Sequence, residues 1–233
     1  MNGSLCMSFL FTHEWIAKLV LGKLKKKALI SNYNNIDDYF FGAIAPDIRY
    51  INNSSRTLTH EIEGKYSIFE TSKKNKYSKA FLAGFETHLV VDDAWSNREK
   101  WLDESIYEFY SVNANNLAQK FALYFLVDDY FQSEAYWFFP FECAGNIFRA
   151  NDLQLLIDLG FNHKDILLYK SLAAVYMREP GIDTMNIFNF VPGKLDEILI
   201  RTILEQKSTL TSFLKEFKKI SVEKSLTFLE SHL

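Results

Sequence analysis

The sequence predicts an all-α fold, and three observations carry that expectation. Only nine Gly and four Pro occur in 233 residues, whereas a turn-rich β protein spends such residues at every chain reversal. Long stretches contain neither, and within them the apolar side chains recur at helical rather than alternating spacing. With 48% hydrophobic residues, the chain can bury a sizeable core in one compact multi-helix domain without disulfides.

From Thr12 to Leu24, the positions of Trp15, Ile16, Leu19, Val20 and Leu24 predict an amphipathic first helix. Lys23, Lys25, Lys26 and Lys27 close it. Positive charge there suits the negative end of the helix dipole as a solvated last turn, and could also make weak contact with an anionic membrane surface. A short helix from Ile36 to about Ala43 must stop before Pro46, because the residue preceding proline avoids helical geometry. Asp47 is therefore expected on a turn.

Tyr77 to Trp95 reads as the most buried helix, with Phe81, Leu82, Phe85, Leu89, Val91 and Trp95 leaving little polar surface. Ser96 and Glu99 make a capping box that starts another helix at about Asn97. Further helices are expected at about Asn115 to Phe131, Asp152 to Gly160 and Lys164 to Arg178. Residues 1–178 then form a helical metal-binding domain, and 179–194, with Pro180, Gly181, Pro192 and Gly193, a loop or linker. Residues 195–233 complete the chain as a C-terminal lobe packed on the same domain, a pair of helices over about Leu195 to Lys219 and Val222 to His232. The aromatic run Tyr130, Phe131, Tyr136, Trp137, Phe138, Phe139 and Phe141 reads as core or as the lining of an apolar pocket.

Composition excludes several classes of function. A net charge of −3 supplies no basic face for nucleic acid. No segment reaches the roughly 20 uninterrupted apolar residues that cross a bilayer. Cys6 and Cys143 are far apart and outside any C-x-x-C spacing, so neither a bridge framework nor a thiolate metal cluster is expected. Met1 to Ser8 does not read as a secretory signal, and a reduced, cytoplasmic protein is the expectation. No Gly-rich phosphate loop, G-x-S-x-G elbow or cysteine nucleophile setting appears.

The histidines are the informative feature. Of five, three fall in the first 88 residues: His13 in Phe11-Thr12-His13-Glu14-Trp15, His60 in Leu58-Thr59-His60-Glu61, and His88 in Gly84-Phe85-Glu86-Thr87-His88. Histidine and aspartate are the usual nitrogen and oxygen ligands of zinc. His88 and Asp92, four apart, share one helix face, and that face is otherwise Phe81, Phe85 and Trp95. Two polar groups in an apolar seam need partners. A metal ion would satisfy them, and so would a plain His-Asp hydrogen bond. Asp47 follows the small-residue run Gly42-Ala43-Ile44-Ala45-Pro46, and taken alone it is an ordinary turn aspartate. His163 at a helix start and His232 near the end of the chain read as surface or capping residues. Glu61, Glu86 and Asp93 flank the candidate ligands and are either partners that orient imidazoles or surface charge.

Taken in order, three segments resemble the zinc-dependent phospholipase C family in its short, signal-less bacterial form. They are Phe11-Thr12-His13; then Tyr39 to Ile48, ending Gly-Ala-Ile-Ala-Pro-Asp-Ile, with Thr59-His60; then Phe81 to Asp92, with its Gly-x-x-x-His-x-x-x-Asp pattern. The likeness spans residues 9 to 100. It implies an all-helical fold in which Asp47, His60, His88 and Asp92 hold one zinc, and His13, sharing Asp92, holds a neighbour. It further implies phosphate-ester hydrolysis, of a lipid or a small molecule, with Asp47 as general base. The family's later ligands lack counterparts here: the position after the helix falls near Ser96 or Arg98, and no histidine occurs between 89 and 162. Asp128 or Asp129 could substitute as oxygen ligands, the alternative being capping or solvated aspartates. The resulting expectation is one or two zinc ions, with iron or manganese as alternatives. A non-catalytic helical binding or scaffolding protein with a structural metal site is the competing reading.

Overall fold

Two glycines, Gly42 and Gly84, set the geometry from which the rest is built. A Cβ on Gly84 would collide with the Tyr39 carbonyl oxygen and the Ala43 amide, and one on Gly42 with the Phe81 carbonyl. Only glycine permits the two backbones to approach so closely. The helices concerned are α2 (Ile36–Ile44) and α4 (Lys79–Ser96), the most intimately packed pair among the described residues. They are seen in a computed structural model that describes residues 10–26, 36–52, 54–71, 76–96, 116–135, 139–178 and 207–233.

Around this pair the chain adds α1 (Leu10–Lys26), the five-residue α3 (Arg56–His60), α5 (Leu117–Glu134), α6 (Phe139–Arg149), the short α7 (Gln154–Asp158), α8 (His163–Arg178) and α9 (Lys207–His232). Two 3-10 segments, Ala45–Tyr50 and Ile68–Glu70, join them. Among the described residues there is no strand, and the fold is all-α. Helix α1 rests on α2, α4 and α5. Helix α6 bridges α2 and α8, and α9 lies across α4 and α1.

Local chemistry accounts for the boundaries. Helix α2 ends ahead of Pro46, and the chain continues as a 3-10 turn with that proline in its first turn. Ser55 caps α3 by accepting from the Thr57 amide, and Asn116 caps α5 by accepting from the Gln119 amide at 3.3 Å. Asn162 does the same for α8, 2.9 Å from the Asp165 amide. Gly160, at φ 95°, reverses the chain after α7.

Besides the short α3, which the sequence reading did not anticipate, the structure departs from it in two longer helices. Helix α6 lies where only an aromatic run was recognised: Pro140 sits in its first turn, where its missing N–H costs nothing. Its Phe139 is buried while Phe141 is exposed. At the C-terminus, α9 runs unbroken through Ile220 and Ser221 instead of dividing after Lys219. No Gly or Pro interrupts it, and Ser221 is buried against the body. The Ser96–Glu99 capping box, Lys27, Tyr136 to Phe138, the 179–194 linker and residues 195–206 of the expected pair lie outside the described residues.

The glycine contact predicts that Gly84→Ala destabilises the protein by about 3 kcal/mol, read as a lowered Tm. Alanine at Gly22, where nothing lies within 4 Å, should not lower it.

Candidate metal centre

The five residues singled out in the sequence reach one buried spot from four different elements. Helix α1 supplies His13, the 3-10 segment after α2 supplies Asp47, α3 supplies His60, and α4 supplies His88 and Asp92. None exceeds 5% exposure. Asp92 is the hub: its Oδ1 lies 3.4 Å from His13 Nε2, and its Oδ2 lies 3.2 Å from His60 Nε2 and 3.8 Å from His88 Nε2. The His13 and His88 rings stack with centroids 3.7 Å apart, and the His60 ring meets His88 edge-on at 5.4 Å.

The orientation of His88 is fixed by the helix pair. Its Nδ1–H donates to the Ala43 carbonyl of α2 at 2.9 Å, a bond that depends on the close Gly42/Gly84 approach. Burial drives its pKa well below the ordinary value, so the ring is neutral and carries a lone pair at Nε2. That atom is fully buried without a hydrogen-bond partner. It faces Asp47 Oδ1 at 3.9 Å and Asp92 Oδ2 at 3.8 Å, distances too long for hydrogen bonds. A lone pair confronting two carboxylate oxygens in a dry interior is a repulsive arrangement unless a proton or cation lies among them. His60 is likewise neutral: burial lowers its pKa to about 4, against the opposing pull of Asp92. Its Nδ1 meets Thr59 Oγ1 at 2.8 Å.

Burial pushes Asp47 up to about 7, with the neighbouring Asp92 charge adding to the effect. Burial would raise Asp92 as well, but His88, His13, His60 and Arg56 hold it well below the usual carboxylate range. One carboxylate is thus firmly ionised while the other sits near neutrality. The donor set, three imidazoles and two carboxylates, has the chemistry of a zinc-type site. Two groups of three could each hold an ion, His13/His88/Asp92 and Asp47/His60/His88. They have His88 in common. The resemblance instead implied Asp92 as the shared ligand, and Asp92 does turn one oxygen toward His13 and the other toward His60.

Sequence reasoning missed Arg56. Its guanidinium donates to Asp92 Oδ2 at 2.7 Å, and its side chain is 26% exposed, in contrast to the five converging residues. The signal was present, since Arg56 and His60 are four apart on α3. The helix was unrecognised after the polar run Asn52 to Ser55. Arg49, buried on the adjacent 3-10 segment, adds a second cation close enough to lower both Asp47 and His60.

The remaining candidates take structural or surface roles. Asp128 is a cap: it accepts from the Thr12 amide at 2.8 Å, from the Thr12 hydroxyl, and from Tyr176 Oη at 2.7 Å. It thereby anchors the start of α1, next to His13, while Asp129 is exposed. Glu86 orients no imidazole. It accepts from Ser67 Oγ and the Ile68 amide, each at 3.1 Å, and pins the 68–70 turn to α4. Asp93 lies on the surface 3.8 Å from Lys224. Glu61 forms no hydrogen bond to these rings among the described residues, so Ala43 and Thr59 take the orienting part. His163 and His232 are exposed. Cys143 is a buried free thiol that donates to Glu14 at 3.7 Å.

Burial raises Glu86 to about 8 despite its two hydrogen bonds. Between the ordinary carboxylate value and 8 the folded state therefore binds the extra proton, so stability falls as pH rises through that window. Glu86→Gln should flatten this dependence: denaturant melts at about pH 5 and pH 8 should show the variant gaining on the wild type at the higher pH.

A sequence model described as zinc dependent phospholipase C matches residues 12–139. That span contains all five converging residues together with Arg56 and Asp128. No curated protein and no solved structure matches the chain.

Proposed function

The chain belongs to the zinc-dependent phospholipase C family, and on that premise we propose that it is a metal-dependent hydrolase of phosphate esters. The observation that carries this reading is the buried, partnerless Nε2 of a neutral His88 set among carboxylates. His13, Asp47, His60, His88 and Asp92 would hold one or two ions, zinc being the family's metal. When bound, such an ion lowers the pKa of its water and stabilises charge on phosphoryl oxygens.

The chain's own residues supply the rest. The Ala43 carbonyl keeps His88 in the tautomer that presents Nε2. Asp47, ionised at neutral pH beside a cation, accepts the proton of the attacking water at its carboxylate. Arg56, the partly exposed cation of the site, binds a phosphoryl oxygen and lets Asp92 go as it does so. A lipid phosphoester fits the family, and no described helix is long and apolar enough to cross a membrane.

The near-complete burial of the ligands favours a second reading, a structural ion that fastens α1 to α4. The two are separable. Elemental analysis should find one or two equivalents of zinc per chain, lost in His88→Ala. Zinc-loaded protein should hydrolyse members of a phosphoester panel, and Asp47→Asn should abolish turnover while retaining metal. Metal without turnover on any ester favours the structural reading, and no metal after reconstitution removes both. Arg56→Gln should lower kcat/KM by about 10- to 100-fold, the loss of one charge-assisted hydrogen bond, with metal content unchanged.

A further inference from the structure

A second concave site lies on another face of α1. Between α1 and α9 there is a groove of about 510 Å3, within the size range of small-molecule pockets. Its floor is apolar: Leu19 and Gly22 from α1, and Val222 from α9. Four lysines also line it, Lys18, Lys23, Lys218 and Lys219. Two are neutralised, Lys18 by both oxygens of Glu142 at 2.8 Å and Lys218 by Glu134 at 2.5 Å. Lys23 and Lys219 are exposed and have no ion-pair partner among the described residues. The groove is thus an apolar trough with two positive charges left over at its rim.

Gly22 supplies an independent observation. Glycine in a helix interior lowers stability relative to alanine, and the close packing that explains Gly42 and Gly84 does not operate here. Nothing in the described protein comes within 4 Å of the position its Cβ would take. The missing side chain leaves the trough open toward the C-terminal end of α1.

We propose that this groove binds a single-chain anionic amphiphile, an alkyl phosphate or fatty carboxylate, with its chain along Leu19, Gly22 and Val222 and its head group between Lys23 and Lys219. Concavity selects a discrete molecule over a bilayer: a flat anionic surface would touch the lysine tips and leave the floor uncovered. The groove shares no residue with the metal centre. Gly22 lies about 13 Å along the helix axis from His13 at 1.5 Å per residue, so the proposal stands or falls apart from the hydrolase reading.

Titration calorimetry with dodecyl phosphate below its micelle-forming concentration, in buffer containing a chelator, tests it on the full chain. Saturable one-to-one binding is expected, with dodecanol and inorganic phosphate each weaker by about tenfold or more. Lys23→Glu with Lys219→Glu should weaken binding by about tenfold or more. Gly22→Leu should abolish it while leaving Tm unchanged or raised, because leucine is the better helix former and its Cβ meets no neighbour. Absence of dodecyl phosphate binding, or binding that survives Gly22→Leu, overturns the proposal. Adsorption to anionic vesicles without binding of the soluble amphiphile overturns it in favour of a membrane-surface patch.

Discussion

The distance between α2 and α4 governs the centre of this protein. With glycine at both points of closest approach, the Ala43 carbonyl comes within hydrogen-bonding range of His88, and Asp47 is delivered to the same spot one turn beyond the end of α2. Any side chain at Gly42 or Gly84 would separate the two backbones. His88 would then lose the acceptor that fixes its tautomer, and Asp47 would be drawn away from it. A packing constraint and a chemical constraint are therefore satisfied by the same contact. Tyr169 reinforces it from α8, its hydroxyl donating to the Ile44 carbonyl at 2.5 Å.

The electrostatics follow from burying five polar groups together. Dehydration alone would neutralise all of them. Asp92 escapes because two imidazoles and a guanidinium lie within 3.4 Å of its oxygens, whereas among the described residues Asp47 has no contact of that quality. The result is an asymmetric pair of carboxylates, one fixed in charge and one near its midpoint at neutral pH, beside the imidazoles of His60 and His88, which burial holds neutral. Metal binding needs deprotonated ligands, and in this centre most of the deprotonation is already in place.

Much of this was legible in the sequence where a single helix carried the pattern. The four-residue spacing of His88 and Asp92, on a stripe otherwise made of Phe81, Phe85 and Trp95, marked the wall of the site because helical periodicity is local. The gathering of His13, Asp47 and His60 with them was not local, and spacing alone left each with an ordinary explanation. Only the ordered resemblance joined them. Arg56 escaped notice because α3 is a single turn whose existence depends on the Ser55 cap and on docking, not on apolar periodicity. Asp128 was visible as a carboxylate. Its use was set by Thr12 and Tyr176, which no sequence interval places beside it. The division of α9 came from reading a weak pattern as a boundary, when buried Ser221 and Ser225 belong to a face that packs.

The Asp128 anchor also bears on how the protein assembles. All five converging residues lie between positions 13 and 92, a stretch that looks self-sufficient. Yet the start of α1, which carries His13, is tied down by a carboxylate 116 residues away, itself gripped by a tyrosine from α8. Closing loops of that length is an entropic cost met late in folding. During synthesis on the ribosome, the nascent segment holding all five converging residues emerges well before the residues that tie down the start of α1. The anchoring of α1 beside His13 is therefore complete only once the chain as far as Tyr176 has been made.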